Sequence, residues 1–464
     1  VLPGIGPAAT IALLLPLSFA MTPSAAIVLL CGVYFGSQYG SSTTAILLNI
    51  PGEASGVVTA EEGHRMALDG RAGAALAVAA LASLVAGLLT ALFVWATTPL
   101  LARIALALSS ADIAALVLLA AATIVLFGVA SGARGVAMLL LGVAFGFVGT
   151  DFGGGLPRFT FGVAELRDGI GFVPLVVGLF GIGEVLANHA GRHAGATVAP
   201  VGRLWPARTD LAAAAVPALR GTLVGTLVGL FPGGNTLLAA MASQALERRV
   251  AGDRDRYGRG AVSGVAGPEA ANNATAQAGL VPLVGLGLPG NPVMAVMLGA
   301  FMLHGVPPGP VLFARAPEVF DAIVWGMVFA NLVLVVLNLP LIGIWVRLLQ
   351  LPLGVLVPII VVVSALGTYA QSRATFDVWL LLCFGVLGFV LRKAGLPLAP
   401  IVFGAVLGPL FEDHVRRAFL QARGDVGAVL SEPLVVPSLA VVVLLLLVRL
   451  RQRQSPPLQA ETER

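Results

Sequence analysis

The sequence predicts an all-α polytopic membrane protein, and three observations carry that prediction. Of the 464 residues, 58% are hydrophobic and only 11% are charged. With the 57 glycines added, the apolar share reaches roughly 70%, against about 45–50% in soluble domains. The apolar residues gather into runs close to the ~20 residues an α-helix needs to span a bilayer. No polar stretch between them is long enough to form a soluble catalytic or ligand-capture domain. This composition excludes a cytosolic enzyme, and it lacks the low hydropathy and high charge of a disordered chain.

Taken in order, the full-length apolar runs are 73–98, 111–131, 134–150, 172–188, 210–231, 322–347, 353–370, 377–392 and 433–449. Shorter or interrupted runs lie at 8–20, 24–36, 41–51, 233–246, 268–290, 293–305 and 395–411. About 10–12 transmembrane helices are expected. They divide into a first repeat over 1–190, a polar linker over 191–208, a second repeat over 209–430, and a C-terminal helix with a basic tail over 431–464. The net charge is +4 and Lys393 is the only lysine. The arginines are scattered between apolar runs, where they act as topology signals rather than as a nucleic-acid-binding face. The loop 247–259 (ERRVAGDRDRYGR) and the tail VRLRQRQ are expected in the cytoplasm on that rule. Cys31 and Cys383 sit inside apolar runs and read as small core residues.

The two halves carry the same unusual features in the same order. The first begins LPGIGP, with Pro3-Gly4, and returns with YGSSTTAILLNIPGE, with Pro51-Gly52. The second begins FPGGN, with Pro232-Gly233, and returns with PEAANNATAQAGLVPLVGLGLPGN, with Pro289-Gly290. Each half is therefore expected to hold Pro-Gly-interrupted or re-entrant helices, in repeats of inverted orientation. Gly/Pro interruptions at matching places are a sequence pointer to a transporter binding site. A full helix leads into Pro232-Gly233, whereas Pro3-Gly4 opens the chain. An additional N-terminal helix is therefore expected ahead of Val1 in the natural protein.

Irregular backbone at membrane depth survives only where protein buries it or where it lines a wet cavity. Helix N-termini attract anions, and unwound carbonyls suit Na⁺. The breaks thus predict a cradle for a carboxylated substrate, with the coupling ion at the opposite helix ends. Ser41, Ser42, Thr43, Thr44 and Asn49 from the first half, with Asn272, Asn273 and Thr275 from the second, are the substrate-binding candidates. Glu269, Gln277 and Asn235 are the candidates for ion binding or coupling, with Na⁺ favoured over H⁺. Amides and hydroxyls at such density in so apolar a chain need partners. The competing readings are helix packing for the hydroxyls, capping of a helix after Pro268 for Glu269, and a water-facing position for Glu53. No cofactor and no metal site are expected. His189 and His193 have the spacing of a metal pair near Glu184, but they run out into Gly191-Arg192 and read as loop histidines. HExxH, CxxC and Walker-type motifs do not occur. Spacings such as Gly225 to Gly229 read as helix packing. A passive channel, or an intramembrane lipid-modifying enzyme, is the alternative class.

The segments LPGIGP, YGSSTTAILLNIPGEAS, EEG…GRAGAALA, LFPGGN and GVAGPEAANNA…VPL…LGLPG resemble the large membrane subunit of the tripartite tricarboxylate transporters, the TctA family. The likeness runs in order over nearly the whole chain. It implies ion-coupled uptake of citrate-like or other carboxylates across the bacterial inner membrane. It also implies a small membrane subunit and a periplasmic solute-binding protein as partners. The chain departs from the family pattern at Ser41, Asn235, Gln244 and Asn291-Pro292-Val293, most of them beside the expected cavity. Those departures bear on the substrate rather than on the fold.

Overall fold

The computed structural model describes all residues except 1–5, 128–131, 152, 184, 188–200, 202–203, 232, 345–352 and 455–464. Pro3, Gly4, Pro232, Glu184, His189, His193 and most of the 191–208 linker therefore lie outside the described residues. The described chain is almost wholly helical. The first half runs α1 (Pro7–Ser18), α2 (Pro23–Leu48), α3 (Gly56–Met66), α4 (Ala72–Ala105), α5 (Ser110–Phe127) and α6 (Gly132–Gly146). A two-residue hairpin follows, β1 (Gly149–Thr150) antiparallel to β2 (Pro157–Arg158), and then α7 (Phe172–Val176), which continues as a π-helical segment to Gly183. The second half opens with α8 (Arg208–Leu230), α9 (Thr236–Val250), α10 (Ser263–Ala278), α11 (Leu280–Leu286) and α12 (Pro292–Leu303). It closes with α13 (Pro310–Arg315), α14 (Pro317–Asn338), α15 (Leu353–Ser372), α16 (Thr375–Lys393), α17 (Ala399–Gln421), α18 (Val426–Leu430) and α19 (Val435–Gln454).

Over the described residues, each of the nine long apolar runs is mainly helical, the run 134–150 ending in β1. Among the described residues, four helical stretches are long and apolar enough to cross a membrane: Gly56–Ala105, Arg208–Leu230, Pro317–Asn338 and Thr375–Lys393. Seven further apolar helices of 10–17 residues accompany them. One expectation is corrected. The runs 24–36 and 41–51 do not form separate segments but one 26-residue helix, α2. Of the intervening residues, Gln38, Tyr39 and Gly40 are buried, and continuing the helix satisfies their backbone groups within the chain itself.

The breaks also differ from expectation. The helices end not at Pro51-Gly52 and Pro289-Gly290 but three residues earlier, at Leu48 and Leu286. Both close in the same geometry. Asn49 is left-handed (φ 55°) and its N–H reaches Ala45 O at 3.1 Å, while Ile50 N–H reaches Thr44 O at 3.3 Å. Gly287 is left-handed (φ 74°) and donates to Leu283 O at 2.9 Å, while Leu288 donates to Pro282 O at 3.1 Å. Such caps satisfy carbonyls that a helix end would leave bare. The Pro-Gly pairs lie in the return loops that follow, and they lead into the N-termini of α3 and α12.

The packing relies on small residues. Gly221, Gly225 and Gly229 of α8 face the backbone of Gly267, Ala271 and Thr275 of α10 so closely that a Cβ at any of them would collide with it. That is the small-xxx-small approach available to membrane helices, and it lets α10 be buried along its whole length. Arg71 pairs with Asp210 at 2.7 Å, tying the start of α4 to the start of α8. Glu62, at the same end, accepts from the N–H groups of Gly258, Gly260 and Ala261 and so anchors the arginine-rich loop. Beyond the far end of α4, Asp112 accepts from Leu434 N–H at 2.8 Å, and α5 and α19 pack together from that point.

Gly225→Val is expected to destabilise the protein by about 1–3 kcal/mol through overpacking, read as a lowered melting temperature in detergent. Gly252→Ala, at an exposed site with nothing within 4 Å of the added carbon, is expected to melt as the unaltered protein does.

Candidate functional site

The side chain that organises the interior is Glu269, six residues into α10 and 0% exposed. That position excludes the helix-capping reading. Its Oε2 accepts from Ser42 Oγ of α2 at 2.5 Å, and its Oε1 accepts from Thr59 Oγ1 of α3. Ser83 of α4 stands within reach of the same carboxyl. Three hydroxyls from three helices thus converge on one carboxyl group. Among the described residues, no Arg, Lys or His forms an ion pair with it.

Asn273 lies one turn further along the same face. Its Nδ2 donates to Ser83 Oγ at 2.7 Å and to Glu269 O at 3.0 Å, while its Oδ1 has no partner. Asn272 is 1% exposed, and neither polar atom of its side chain has a partner. A buried amide left unpaired costs free energy, which makes these two asparagines stand out from every other buried amide in α10. Gln277 does not join them. It exchanges two hydrogen bonds with Asn331 of α14, at 3.3 and 3.1 Å, and Tyr39 OH donates to the same Asn331 Oδ1 at 3.2 Å. Thr275 donates to Gly225 O at 2.9 Å and to Ala271 O at 2.7 Å, sealing the α8–α10 contact.

The hydroxyl run divides in the same way. Ser42 points at Glu269. Ser41 Oγ accepts from Glu53 N–H at 2.9 Å, fastening the first return loop. Thr43 reaches Asn338 Oδ1 at 3.4 Å, and Thr44 donates to its own helix at Ser41 O. Asn49 is exposed and serves as the left-handed cap of α2.

The loops bring helix N-termini together. Asn235 caps α9 by accepting from Leu238 N–H at 2.8 Å, and Asn291 caps α12 by accepting from Met294 N–H at 3.0 Å. Gly233 N–H donates to Gly290 O at 2.8 Å, so the two breaks of the second half are bonded to each other. The four residues line one small cavity. Glu53, from the first half's loop, accepts from Thr236 Oγ1 at the first residue of α9, at 2.8 Å. Asn235 therefore belongs with the helix ends rather than with Glu269.

Sequence reasoning passed over Thr59, Ser83 and Asn331. Ser83 and Asn331 are isolated polar residues in apolar helices, and Thr59 is a single hydroxyl ahead of the charged residues of α3, with no spacing to separate any of them from a packing residue. A larger cavity of about 610 Å³ lies elsewhere, between the β1–β2 hairpin and α17. It is rimmed by a network in which Arg158 and Arg416 each bond both Asp151 and Glu412. The Arg416 guanidinium beside Asp151 holds that loop carboxyl below the usual carboxylate range. None of the sequence-predicted site residues lines this cavity.

Comparison with known proteins assigns a family. The model of the tripartite tricarboxylate transporter TctA family matches residues 1–403. An uncharacterized 52.8 kDa protein in the TAR-I ttuC′ 3′ region of Agrobacterium vitis is 44% identical over 461 residues, covering 98% of this chain and 91% of the relative. An uncharacterized protein in the TAR-II ttuC′ 3′ region of the same organism is 43% identical over 234 residues, covering 50% of this chain and 97% of the relative. No solved structure matches the chain.

Gln277→Leu strands the Asn331 amide, so a loss of about 1–3 kcal/mol is expected. Replacing Asn331 by Leu as well is expected to recover part of it, because the stranded amide is then gone and only the Tyr39 hydroxyl is left without its acceptor. Thermal melts of the two single variants and the double variant check this.

Proposed function

The chain belongs to the tripartite tricarboxylate transporter TctA family, and from that premise we propose that it is an ion-coupled secondary uptake transporter for carboxylates, with Na⁺ as the coupling ion. The family is one of transporters whose large subunit works with a small membrane subunit and a periplasmic binding protein. We assign this chain to that role in the bacterial inner membrane. The single observation that carries the coupling assignment is Glu269, a fully buried carboxyl held by hydroxyls and lacking a cationic partner among the described residues. A charge in that setting is too costly to leave uncompensated, so a bound cation or proton belongs to its working cycle.

The substrate side of the reading rests on the helix ends. α9 and α12 are 15 and 12 residues long, and their capped N-termini meet across the Gly233–Gly290 hydrogen bond. Backbone N–H groups and the helix dipole favour an anion there without a buried arginine. Asn272 and Asn273 supply amide atoms with spare hydrogen-bonding capacity. The matching caps after Leu48 and Leu286 support a pair of repeated units; with the units inverted, their relative motion would expose the site alternately to the two sides. The arginine-rich loop 247–259 at the start of α4 and α8 supports a cytoplasmic location for that end.

Uptake of labelled di- and tricarboxylates into vesicles carrying the protein and its small subunit, with the binding protein and an imposed Na⁺ gradient, tests the reading. Glu269→Gln and Asn273→Ala are each expected to cut gradient-driven uptake at least tenfold while the amount of folded protein in the membrane stays unchanged. Undiminished uptake in both would remove this face of α10 from the mechanism. Flux that ignores both gradient and binding protein would identify a channel instead.

A further inference from the structure

Glu53 joins the first half's return loop to the start of α9. Its residue is partly exposed, yet its Oε2 is buried and has no partner. Ser41 Oγ holds the Glu53 N–H at 2.9 Å while the adjacent Ser42 Oγ holds the Glu269 carboxyl at 2.5 Å, so the first half's return loop and the second half's α10 bring two carboxyls into one region. Among the described residues neither forms an ion pair with Arg, Lys or His. The Gln38 amide of α2 stands beside the Glu53 carboxyl; Gln38 is 0% exposed and its Oε1 has no partner. Asn273 Oδ1, on the Glu269 side, is also buried and bare. The region is rich in oxygen, holds two carboxyls without a basic partner among the described residues, and has acceptor atoms to spare.

We propose that Glu53 and Glu269 together form one Na⁺ seat spanning the two halves, with Gln38 Oε1 as a neutral oxygen ligand, and that filling it prepares the neighbouring helix ends for the carboxylate. This deepens the transport reading and rests on it. The chemistry selects the ion class. All the candidate ligands are oxygens, which suits a hard cation. No third His, Cys, Asp or Glu gathers with the pair among the described residues, so the seat falls short of the ligand number that Ca²⁺ draws on, and Na⁺ is the hard cation proposed for it.

The consequence for coupling follows from where Glu53 sits. Its Oε1 accepts from Thr236 at the first residue of α9, and its negative charge occupies the end of α9 that would otherwise draw an anion. A substrate carboxylate approaching that end meets a like charge. Na⁺ bound between Glu53 and Glu269 offsets one of the two carboxylate charges, lowers the repulsion and draws Glu53 toward α10, so cation binding raises anion affinity. Linkage requires the reverse as well, with the anion raising Na⁺ affinity by the same factor.

The test uses the purified chain in detergent and ²²Na⁺ as the probe, with choline chloride holding ionic strength constant. Saturable ²²Na⁺ binding is expected, together with a rise in melting temperature when NaCl replaces choline chloride. Glu53→Gln and Glu269→Gln are each expected to lower Na⁺ affinity at least tenfold and to remove the Na⁺-dependent part of the melting shift. Glu53→Asp keeps the charge and is expected to retain the shift in part, which separates loss of a ligand from loss of the fold. Gly252→Ala is expected to match the unaltered protein. If Glu53→Gln binds Na⁺ normally while Glu269→Gln does not, the shared seat is overturned and the Glu269 assignment stands. If the unaltered protein binds no Na⁺ and shows no Na⁺-dependent melting shift, the Na⁺ seat is overturned, and vesicle uptake then decides the transport reading separately.

Discussion

A buried carboxyl group with no basic partner sets the terms for the interior of this protein. Glu269 lies at the meeting point of α2, α3, α4 and α10, and each of the first three helices directs a hydroxyl toward it. Hydroxyls can hold a carboxyl in place, but they do not cancel its charge. The helices that deliver them are therefore fixed to one another through a group that calls for a cation or a proton. Removing the carboxyl group altogether would leave the hydroxyls of Ser42 and Thr59 to find new acceptors. Adding a basic side chain would need room that the alanine-rich packing does not leave. The proposed coupling role follows from this balance, in which the geometry is well determined and the charge is left open.

That arrangement depends on how closely the surrounding helices can approach. α10 is polar along one side and is nevertheless buried throughout, because its neighbours meet it with glycine and alanine. The glycine row of α8 lets Thr275 reach a carbonyl of the facing helix. Gly87 of α4 leaves the space that the Asn331 side chain fills. In a membrane, apolar burial between helices contributes little, and close packing with interhelical hydrogen bonds takes its place. The polar residues of α10 accordingly fall into two kinds. Thr275 and Gln277 have their hydrogen bonds completed by α8 and α14. Asn272 and Asn273 keep atoms without partners.

The return loops solve a different problem. A helix that ends inside the protein must satisfy its last carbonyls, and Asn49 and Gly287 do so with the same left-handed turn. The chain then doubles back, and the Pro-Gly pairs carry it into a new helix whose first N–H groups face inward. Asn235 and Asn291 each satisfy one of those N–H groups. The loops therefore present helix N-termini toward the interior, with Glu53 placed where the loop of one half touches the first turn of α9 in the other.

By itself the sequence determined the class of protein, the positions of the helices and the residues that do not suit a membrane interior. Those are local properties. Apolar runs mark helices because backbone in lipid must satisfy itself, and Glu269, Asn272 and Asn273 are conspicuous because polar groups are costly in such surroundings. The two Pro-Gly loops were legible for the same reason. The partnerships were not. Thr59 and Ser83 are ordinary single hydroxyls until folding brings them beside Glu269, and Asn331 is one asparagine in an apolar helix until Gln277 and Tyr39 reach it. No spacing along the chain encodes a contact between residues 42 and 269 or between 53 and 236. The helix ends, too, are set three residues before the prolines, by a left-handed cap whose hydrogen bonds depend on the folded turn. Which polar groups are satisfied and which are left open for a ligand is a property of neighbours distant in sequence, and only the tertiary structure decided it.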